Sequence, residues 1–137
     1  MTVRYQQPYN YGLYFITFTC YKWLHLFQEA DAYDLVYKWF DYLKAEGSYI
    51  VAYVIMPNHV HVIISFRNNG KSINTRVGNG KRFMAYGIIQ QLERLGNTGL
   101  LNILSSGVSE VEKRKGKLHR VFEPSFDCKE IHSDAML

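Results

Sequence analysis

Two β-rich runs separated by only two residues constrain the fold of this chain more than any other feature. The runs cover Tyr49–Met56 and His59–Phe66, and only Pro57-Asn58 lies between them. A link this short cannot carry a crossover connection, so the two strands must pair antiparallel as a hairpin. Pro57 fixes its φ at a negative value, which excludes the favoured Asn-Gly type of turn. The sequence therefore predicts a sheet that is built around this hairpin.

The segments before the hairpin predict a strand followed by a helix. Tyr14–Cys20 alternates roughly and is rich in aromatic and β-branched residues, as strands are. Apolar residues then recur with the i, i+3, i+4, i+7 spacing of one helix face. These residues are Val36, Trp39, Phe40 and Leu43. Gly47 follows them at a position that can cap the end of the helix.

The segment after the hairpin predicts one or two long helices. Ser72 can cap a helix that continues to Leu95. Gly78 and Gly80 lie inside that helix, and each internal glycine costs about 1 kcal/mol relative to alanine. The apolar spacing describes one long helix, and the alternative is a break near Gly78–Gly80 into two helices.

The remainder of the chain predicts a short helix, a charged loop and a last strand. The helix covers Thr98–Ser106, the loop Val111–His119 and the strand Arg120–Ile131. Pro124 interrupts this strand, which predicts an edge or bulged strand. The order β-α-β-β-α-(α)-β indicates an α+β fold of the ferredoxin-like kind, an antiparallel sheet with helices packed on one face. With 137 residues, the chain suits a single domain over 1–137.

Composition limits the compartment and the partners. The net charge of +4 and the pI of about 9.0 are compatible with a polyanionic partner. Cys20 and Cys128 form no CxxC pair, which favours free thiols in a reducing compartment. The N-terminal sequence MTVRYQQPYNYG has no apolar signal core, and no run of 18 apolar residues predicts a membrane span. We expect a cytoplasmic protein without a membrane segment.

Two histidines stand one residue apart in the second hairpin strand. Side chains alternate along a strand, so His59 and His61 share one face while Val60 and Val62 share the other. Their Cα atoms are expected to lie ~6.5–7 Å apart, which allows both imidazoles to bind one metal ion. Protonated, they could instead hold a phosphate. The remaining alternative is an exposed strand face on which histidine is simply a tolerated polar residue.

The context of the pair carries a family resemblance. MPNHVHVII couples a Pro-Asn turn, a His-hydrophobe-His pair and an apolar run. It resembles the HUH single-tyrosine transposases, of the insertion-sequence-200 type and the REP-associated type. Three further segments are similar to the opening strand, the later helix and the final strand of that family, so the resemblance covers nearly the whole chain. They are GLYFITFTCYKWLHLF, GKRFMAYGIIQQLE and HRVFEPSFDCKEIHSD.

The resemblance implies a function and a site. Members of the family are cytoplasmic homodimers that bind single-stranded hairpin DNA, cut one strand with a tyrosine and rejoin it elsewhere. By resemblance, His59 and His61 hold a divalent ion, Mg²⁺ or Mn²⁺, that polarises the scissile phosphate.

The chain departs from the family at the nucleophile. The family's tyrosine follows the last strand on a helix, whereas only HSDAML follows Ile131, so we expect that helix to be lacking. Tyr86 with Gln90 at i+4 imitates the family's Tyr-x3-Gln pair, and the alternative is that Tyr86 is an ordinary core or surface aromatic residue. Without a further polar ligand, the metal site is expected to be incomplete, and better suited to Mn²⁺, Ni²⁺ or Zn²⁺ than to Mg²⁺.

Basic clusters are candidates for DNA contact. They comprise Lys81, Arg82, Lys113, Arg114 and Lys115. The alternative is that they are solvated loops and helix faces.

Three functions therefore stay open. The first is a transposase domain whose own nucleophile is absent, the second a hairpin-binding protein that does not cleave DNA, and the third an unrelated α+β metal hydrolase or ligand-binding domain.

Overall fold

The computed structural model describes residues 10–131 in full and residues 2–3 through their backbone. The strands are β1 (Thr2–Val3), β2 (Gly12–Thr19), β3 (Tyr49–Met56), β4 (His59–Phe66) and β5 (Ser125–Glu130). The helices are α1 (Leu26–Glu29), α2 (Tyr33–Ala45), α3 (Ile73–Arg94), α4 (Thr98–Ser106) and α5 (Glu110–Arg114). A 3-10 turn, Tyr21–Trp23, connects β2 to α1. The segment 132–137, on which the expected lack of a tyrosine-bearing helix depends, and most of the N-terminal sequence tested for a signal core lie outside the described residues.

The strand order in the sheet is β1-β5-β2-β4-β3. The pairs β5–β2, β2–β4 and β4–β3 are antiparallel, and the two residues of β1 run parallel to β5. Strand β4 therefore lies between β2 and β3, although α2 connects those two strands in sequence. This arrangement confirms the predicted ferredoxin-like α+β fold and the predicted hairpin, whose strand bounds match the sequence prediction.

The helices cover one face of the sheet. Along β4, buried and half-buried residues alternate without exception, and Val60, Val62, Ile64 and Phe66 are the buried ones. They join one core with residues of α2 and α3, among them Val36, Trp39, Phe40, Leu43, Val77, Met84, Ile88 and Leu92. The opposite surface, which we call the open face, carries the other set of β4 side chains.

The predicted long helix is confirmed, and the alternative break is absent, because α3 continues unbroken through Gly78 and Gly80. Gly80 serves close packing instead. A Cβ atom added there would lie 2.4 Å from the indole ring of Trp39 on α2. The missing side chain therefore lets the two helices approach, and the packing offsets the low helix propensity of glycine.

The predicted loop over Val111–His119 is wrong in its first half, where α5 forms. Ser109 caps this helix by accepting a hydrogen bond from the Glu112 backbone, and the Glu112 carboxylate accepts one from the Ser109 backbone. This reciprocal capping box is encoded by the sequence S-x-x-E. The predicted interruption at Pro124 is present: Phe122 makes an isolated bridge to Cys20, and β5 begins only at Ser125.

Both cysteines are buried thiols that form no disulfide with each other. Burial raises the pKa of each thiol to about 12. Among the described helices, none combines the length and the apolar character that a membrane crossing needs.

Candidate functional site

The histidine pair lies on the open face of a central strand. In β4, His61 is paired with Thr17 of β2 and Val54 of β3, and His59 with Thr19 and Met56. The two ring centroids are 4.7 Å apart and the rings are nearly perpendicular, at 80°. The predicted same-side arrangement of the two imidazoles is therefore present.

Hydrogen bonds fix the orientation of both rings through their Nδ1 atoms. Asn58 Oδ1 lies 2.7 Å from His59 Nδ1, and the amide nitrogen of Asn58 donates to the Trp23 carbonyl. With its nitrogen committed in this way, Asn58 presents oxygen to the ring, so Nδ1 of His59 carries the proton and Nε2 carries the free lone pair.

Thr17 Oγ1 holds the second ring, 2.8 Å from His61 Nδ1, and its hydroxyl can donate to this nitrogen or accept from it. When the hydroxyl accepts, Nε2 of a neutral His61 also carries a free lone pair. In both cases a polar neighbour occupies Nδ1 and leaves Nε2 as the atom for a ligand. This is the arrangement by which proteins orient metal-binding histidines.

The surroundings of His59 favour its neutral form. Partial burial lowers the pKa of His59, and the neighbouring His61 lowers it further. A neutral imidazole is the form that binds a metal ion.

The pair offers two nitrogen atoms as candidate metal ligands. Within residues 10–131, no cluster of three or more histidine, cysteine, aspartate or glutamate side chains could hold a metal ion. Two imidazoles with oxygen ligands from water or phosphate fit Mn²⁺ or Zn²⁺ better than Mg²⁺, which prefers an all-oxygen shell.

Aromatic rings border the histidines. Trp23 stands edge-to-face with His59, with 5.9 Å between ring centroids, and Phe15 lies 5.8 Å from His61. Trp23 belongs to the turn after β2, in which both Lys22 and Trp23 adopt positive φ angles of 53° and 58°. The site thus combines two metal-ligand candidates with the exposed indole of Trp23 and the half-buried phenyl ring of Phe15.

Tyr86 is not brought to the histidines. It lies on α3 and is 66% exposed, and α3 packs on the face of the sheet opposite the pair. Gln90 is likewise exposed on α3. The sheet itself separates the Tyr-x3-Gln pair from His59 and His61, so the surface alternative describes the position of Tyr86.

The prediction that Lys81 contacts DNA is wrong for this structure, because Lys81 is 0% exposed. Its ammonium donates hydrogen bonds to the carbonyls of Glu123 and Ser125, at 3.0 and 3.5 Å. The side chain is committed to the interior, where it is out of reach of a phosphate.

The other predicted basic residues lie on the surface. Arg82 on α3 and Lys113, Arg114 and Lys115 at α5 are exposed. Arg82 also contacts Asn79, and Lys113 pairs with Glu110 at 3.8 Å. They remain candidates for phosphate contact, and the structure places them in two groups on different helices.

Sequence reasoning missed three residues of the site. Thr17 and Trp23 reach the histidines only through the pairing of β2 with β4, which no local pattern reveals. Asn58 stands within the recognised motif, but its role depends on the Trp23 carbonyl 35 positions earlier. The alternation of β2 does predict that Thr17 faces away from the core, and that was the one available signal.

Comparison with known proteins identifies solved structures that have a similar fold. No protein-family model matches the chain, and no curated protein matches it in sequence. Among solved structures, it is similar to a REP-associated tyrosine transposase bound to a REP hairpin, with a TM-score of 0.55 and 17% identity over 95% of this chain and 61% of that one. It is also similar to a candidate transposase from Deinococcus radiodurans R1, with a TM-score of 0.50 and 13% identity over 97% of this chain and 89% of that one.

The chain thus spans about three fifths of the length of the hairpin-bound transposase. Identities of this size carry the fold and not the activity. The resemblance predicted from the His-hydrophobe-His motif is confirmed at that level: the chain has the fold of the tyrosine transposases.

Proposed function

We propose that this chain is a DNA-binding domain of the HUH single-tyrosine transposase kind. In this proposal it binds single-stranded hairpin DNA and holds a divalent ion with His59 and His61 at the strand to be cut. One observation carries the proposal: both imidazoles lie on the open face of the sheet, and in each a polar neighbour engages Nδ1, which leaves Nε2 as the atom for a ligand. The likeness of the fold to a transposase bound to a REP hairpin supports the choice of DNA.

The residues of the site have distinct roles in this proposal. Asn58 and Thr17 hold the rings, and the low pKa of His59 keeps its ring neutral and ready to bind. A divalent ion held there would supply Lewis-acid polarisation of a phosphate oxygen. The open face then accepts the strand, because none of the described helices covers it.

A second candidate is a hairpin-binding protein of the same fold that does not cleave DNA. The position of Tyr86 favours it, because the sheet lies between this tyrosine and the histidines. In this alternative the histidine pair contacts phosphate without a covalent step.

Binding to a hairpin oligonucleotide with single-stranded flanks tests both candidates. We expect fluorescence anisotropy to detect binding to this oligonucleotide and weaker binding to a blunt duplex of the same length. A denaturing gel after incubation with Mn²⁺ then separates the two candidates, since a covalent protein–DNA band supports cleavage and its absence supports binding alone. Equal affinity for the flanked hairpin and the blunt duplex would contradict both.

Metal titration tests the histidine pair independently of DNA. By isothermal titration, we expect weak Mn²⁺ binding by the wild type and none by His59→Ala. His119→Ala removes an imidazole that lies outside the sheet strands, between α5 and β5, and should leave binding unchanged. Micromolar affinity for Mg²⁺ would contradict a site with two nitrogen ligands.

The homodimer implied by the resemblance is a further proposal. Strand β3 supports it, because it is the outer strand of the sheet and contains no charged residue. Natural edge strands usually carry charges or bulges that prevent pairing between chains. The register of β3 is irregular between Ile50 and Ala52, so the regular and uncharged stretch Ala52–Met56 is the part available for pairing. Sedimentation equilibrium of the wild type and Val51→Lys, at one of the exposed positions of β3, should show a dimer that the substitution weakens. A wild-type monomer at all concentrations would refute it.

A further inference from the structure

We propose that Trp23 is a stacking platform for one unpaired nucleobase and thereby positions the adjoining phosphate at the histidine pair. This inference rests on the proposed function and makes it more specific. It assigns a binding residue outside the His-hydrophobe-His motif, and the ligand class is an unstacked base of single-stranded DNA.

The exposure of Trp23 is the first observation. Its side chain is 62% exposed, whereas the other tryptophan, Trp39, is 3% exposed and belongs to the core. Contact with His59 covers only part of the indole, through an edge-to-face arrangement at 62°. Packing within the domain therefore does not account for a tryptophan here, while a large exposed ring is what a base can stack upon.

The backbone beneath the ring is the second observation. Lys22 and Trp23 are consecutive residues with φ angles of 53° and 58°, in the left-handed region that residues with a Cβ atom avoid. Strain of this kind persists only where the surroundings impose it, and it concentrates at functional sites. Here the unfavourable backbone turns Trp23 toward His59 instead of the core.

The surroundings that impose this conformation include the site itself. The backbone N–H of Lys22 donates to the Glu123 carboxylate at 2.9 Å, and that of Trp23 to the Cys20 carbonyl at 3.0 Å. The Trp23 carbonyl accepts from Asn58, whose oxygen faces His59 Nδ1. One side chain, Asn58, therefore fixes both the stacking ring and the metal-ligand candidate.

The charge next to the ring suits a nucleotide. Lys22 is exposed, and its ammonium lies 5.5 Å from the centroid of the Tyr21 ring. The one acidic group bonded to this turn, Glu123, takes up the Lys22 backbone N–H. A base on Trp23 would thus lie next to His59 and one residue from the Lys22 cation, which suits a flanking phosphate.

Intrinsic fluorescence can test the contact, because the chain has only two tryptophans. The probe is an oligothymidylate of about ten nucleotides, with an abasic strand of equal length as the control for phosphate contacts alone. We expect the oligothymidylate to quench wild-type fluorescence and the abasic strand to leave it nearly unchanged. In Trp23→Phe, where only the buried Trp39 reports, the quenching should disappear.

Affinity measurements separate stacking from a structural role. Trp23→Ala should weaken oligothymidylate binding about tenfold, and Trp23→Phe by less. Trp23→Gly should bind oligothymidylate as weakly as Trp23→Ala does, although glycine accepts the positive φ. Lys22→Gly keeps the Trp23 indole, so oligothymidylate should still quench its fluorescence. Tyr86→Ala, which removes an equally exposed ring from the helical side, is the matched control and should have no effect.

The outcomes distinguish this inference from the proposed function. If the wild type binds the flanked hairpin but shows neither quenching nor any loss on Trp23→Ala, the stacking role is overturned and the proposed function stands. If the wild type binds neither the hairpin nor the oligothymidylate, both are overturned.

Discussion

Lys81 is a charged side chain in the interior of the domain, and its surroundings explain how it is tolerated. Its ammonium bonds to two carbonyls on either side of Pro124 and lies 5.8 and 5.3 Å from the ring centroids of Phe122 and Phe126. Burial, more than the charge of the nearby Lys117, lowers the pKa of Lys81 to about 8. The residue thus holds the irregular start of β5 at some electrostatic cost.

That cost predicts a pH dependence of stability. The unfolded chain keeps the Lys81 proton up to about pH 10.5, whereas the folded chain releases it near pH 8. Between these values the unfolded state binds more protons, so stability rises with pH, by ~3 kcal/mol across the full window. In urea unfolding, wild type should gain stability relative to Lys81→Met from about pH 8 upward. The two cysteines are present in both proteins, so their titration contributes to both stability curves. A stability difference between wild type and Lys81→Met that does not change with pH would contradict the prediction.

Single residues also mark the limit of prediction from sequence. The shared face of His59 and His61 follows from the alternation of a strand, which is a local rule. The roles of Thr17 and Trp23 depend on which segment pairs with β4, and the burial of Lys81 depends on the segment that leads into β5, 42 residues away. Only the assembled sheet supplies this information.

At the level of the elements, the internal glycines have different structural roles in α3 and in α4. In α3, Gly80 and Gly87 lie where a Cβ atom would come within 2.4 Å of Trp39 and 2.6 Å of Leu35 on α2. In α4, Gly99 faces nothing closer than 3.9 Å. The same residue type is required for packing in one helix and is merely tolerated in the other. A one-dimensional pattern cannot distinguish these cases, and the sequence therefore left a break in α3 open as an alternative.

Alanine substitutions should therefore have opposite effects in the two helices. Gly80→Ala should destabilise the domain by about 1–3 kcal/mol, because the buried Trp39 must move. Gly99→Ala should stabilise it by about 1 kcal/mol or less, since alanine has the higher helix propensity. Thermal and urea unfolding of both variants measure the difference. A gain in stability for Gly80→Ala would show that α2 and α3 can separate without cost.

For the whole molecule, the sheet divides two surfaces of different chemistry. The open face has the histidines, Thr17 and the Trp23 ring, while the helical side carries Tyr86 and Arg82. The exposed basic group at α5, Lys113, Arg114 and Lys115, is a separate feature of the surface. Composition alone gives the net charge of +4 but not this division, since it depends on where each helix packs.

Neutralising the α5 group tests whether it touches the DNA backbone. Replacing Lys113, Arg114 and Lys115 with glutamine should reduce the slope of log affinity against log salt for single-stranded DNA by about two, if all three meet phosphates. Lys38 and Lys44 on α2 pair with Asp34 and Asp41, and their replacement with glutamine is the control. An unchanged slope in the triple variant would remove α5 from the binding surface.

The central position of β4 determines how the histidine pair loses its geometry when the domain unfolds. Along its length this strand is bonded to β2 on one side and to β3 on the other. Amides in such a strand exchange with solvent through global opening, not through fraying of an edge. The two histidines therefore belong to the part of the backbone that is most protected from amide exchange. Denaturant or heat should leave their geometry intact up to the cooperative transition and abolish it there in a single step.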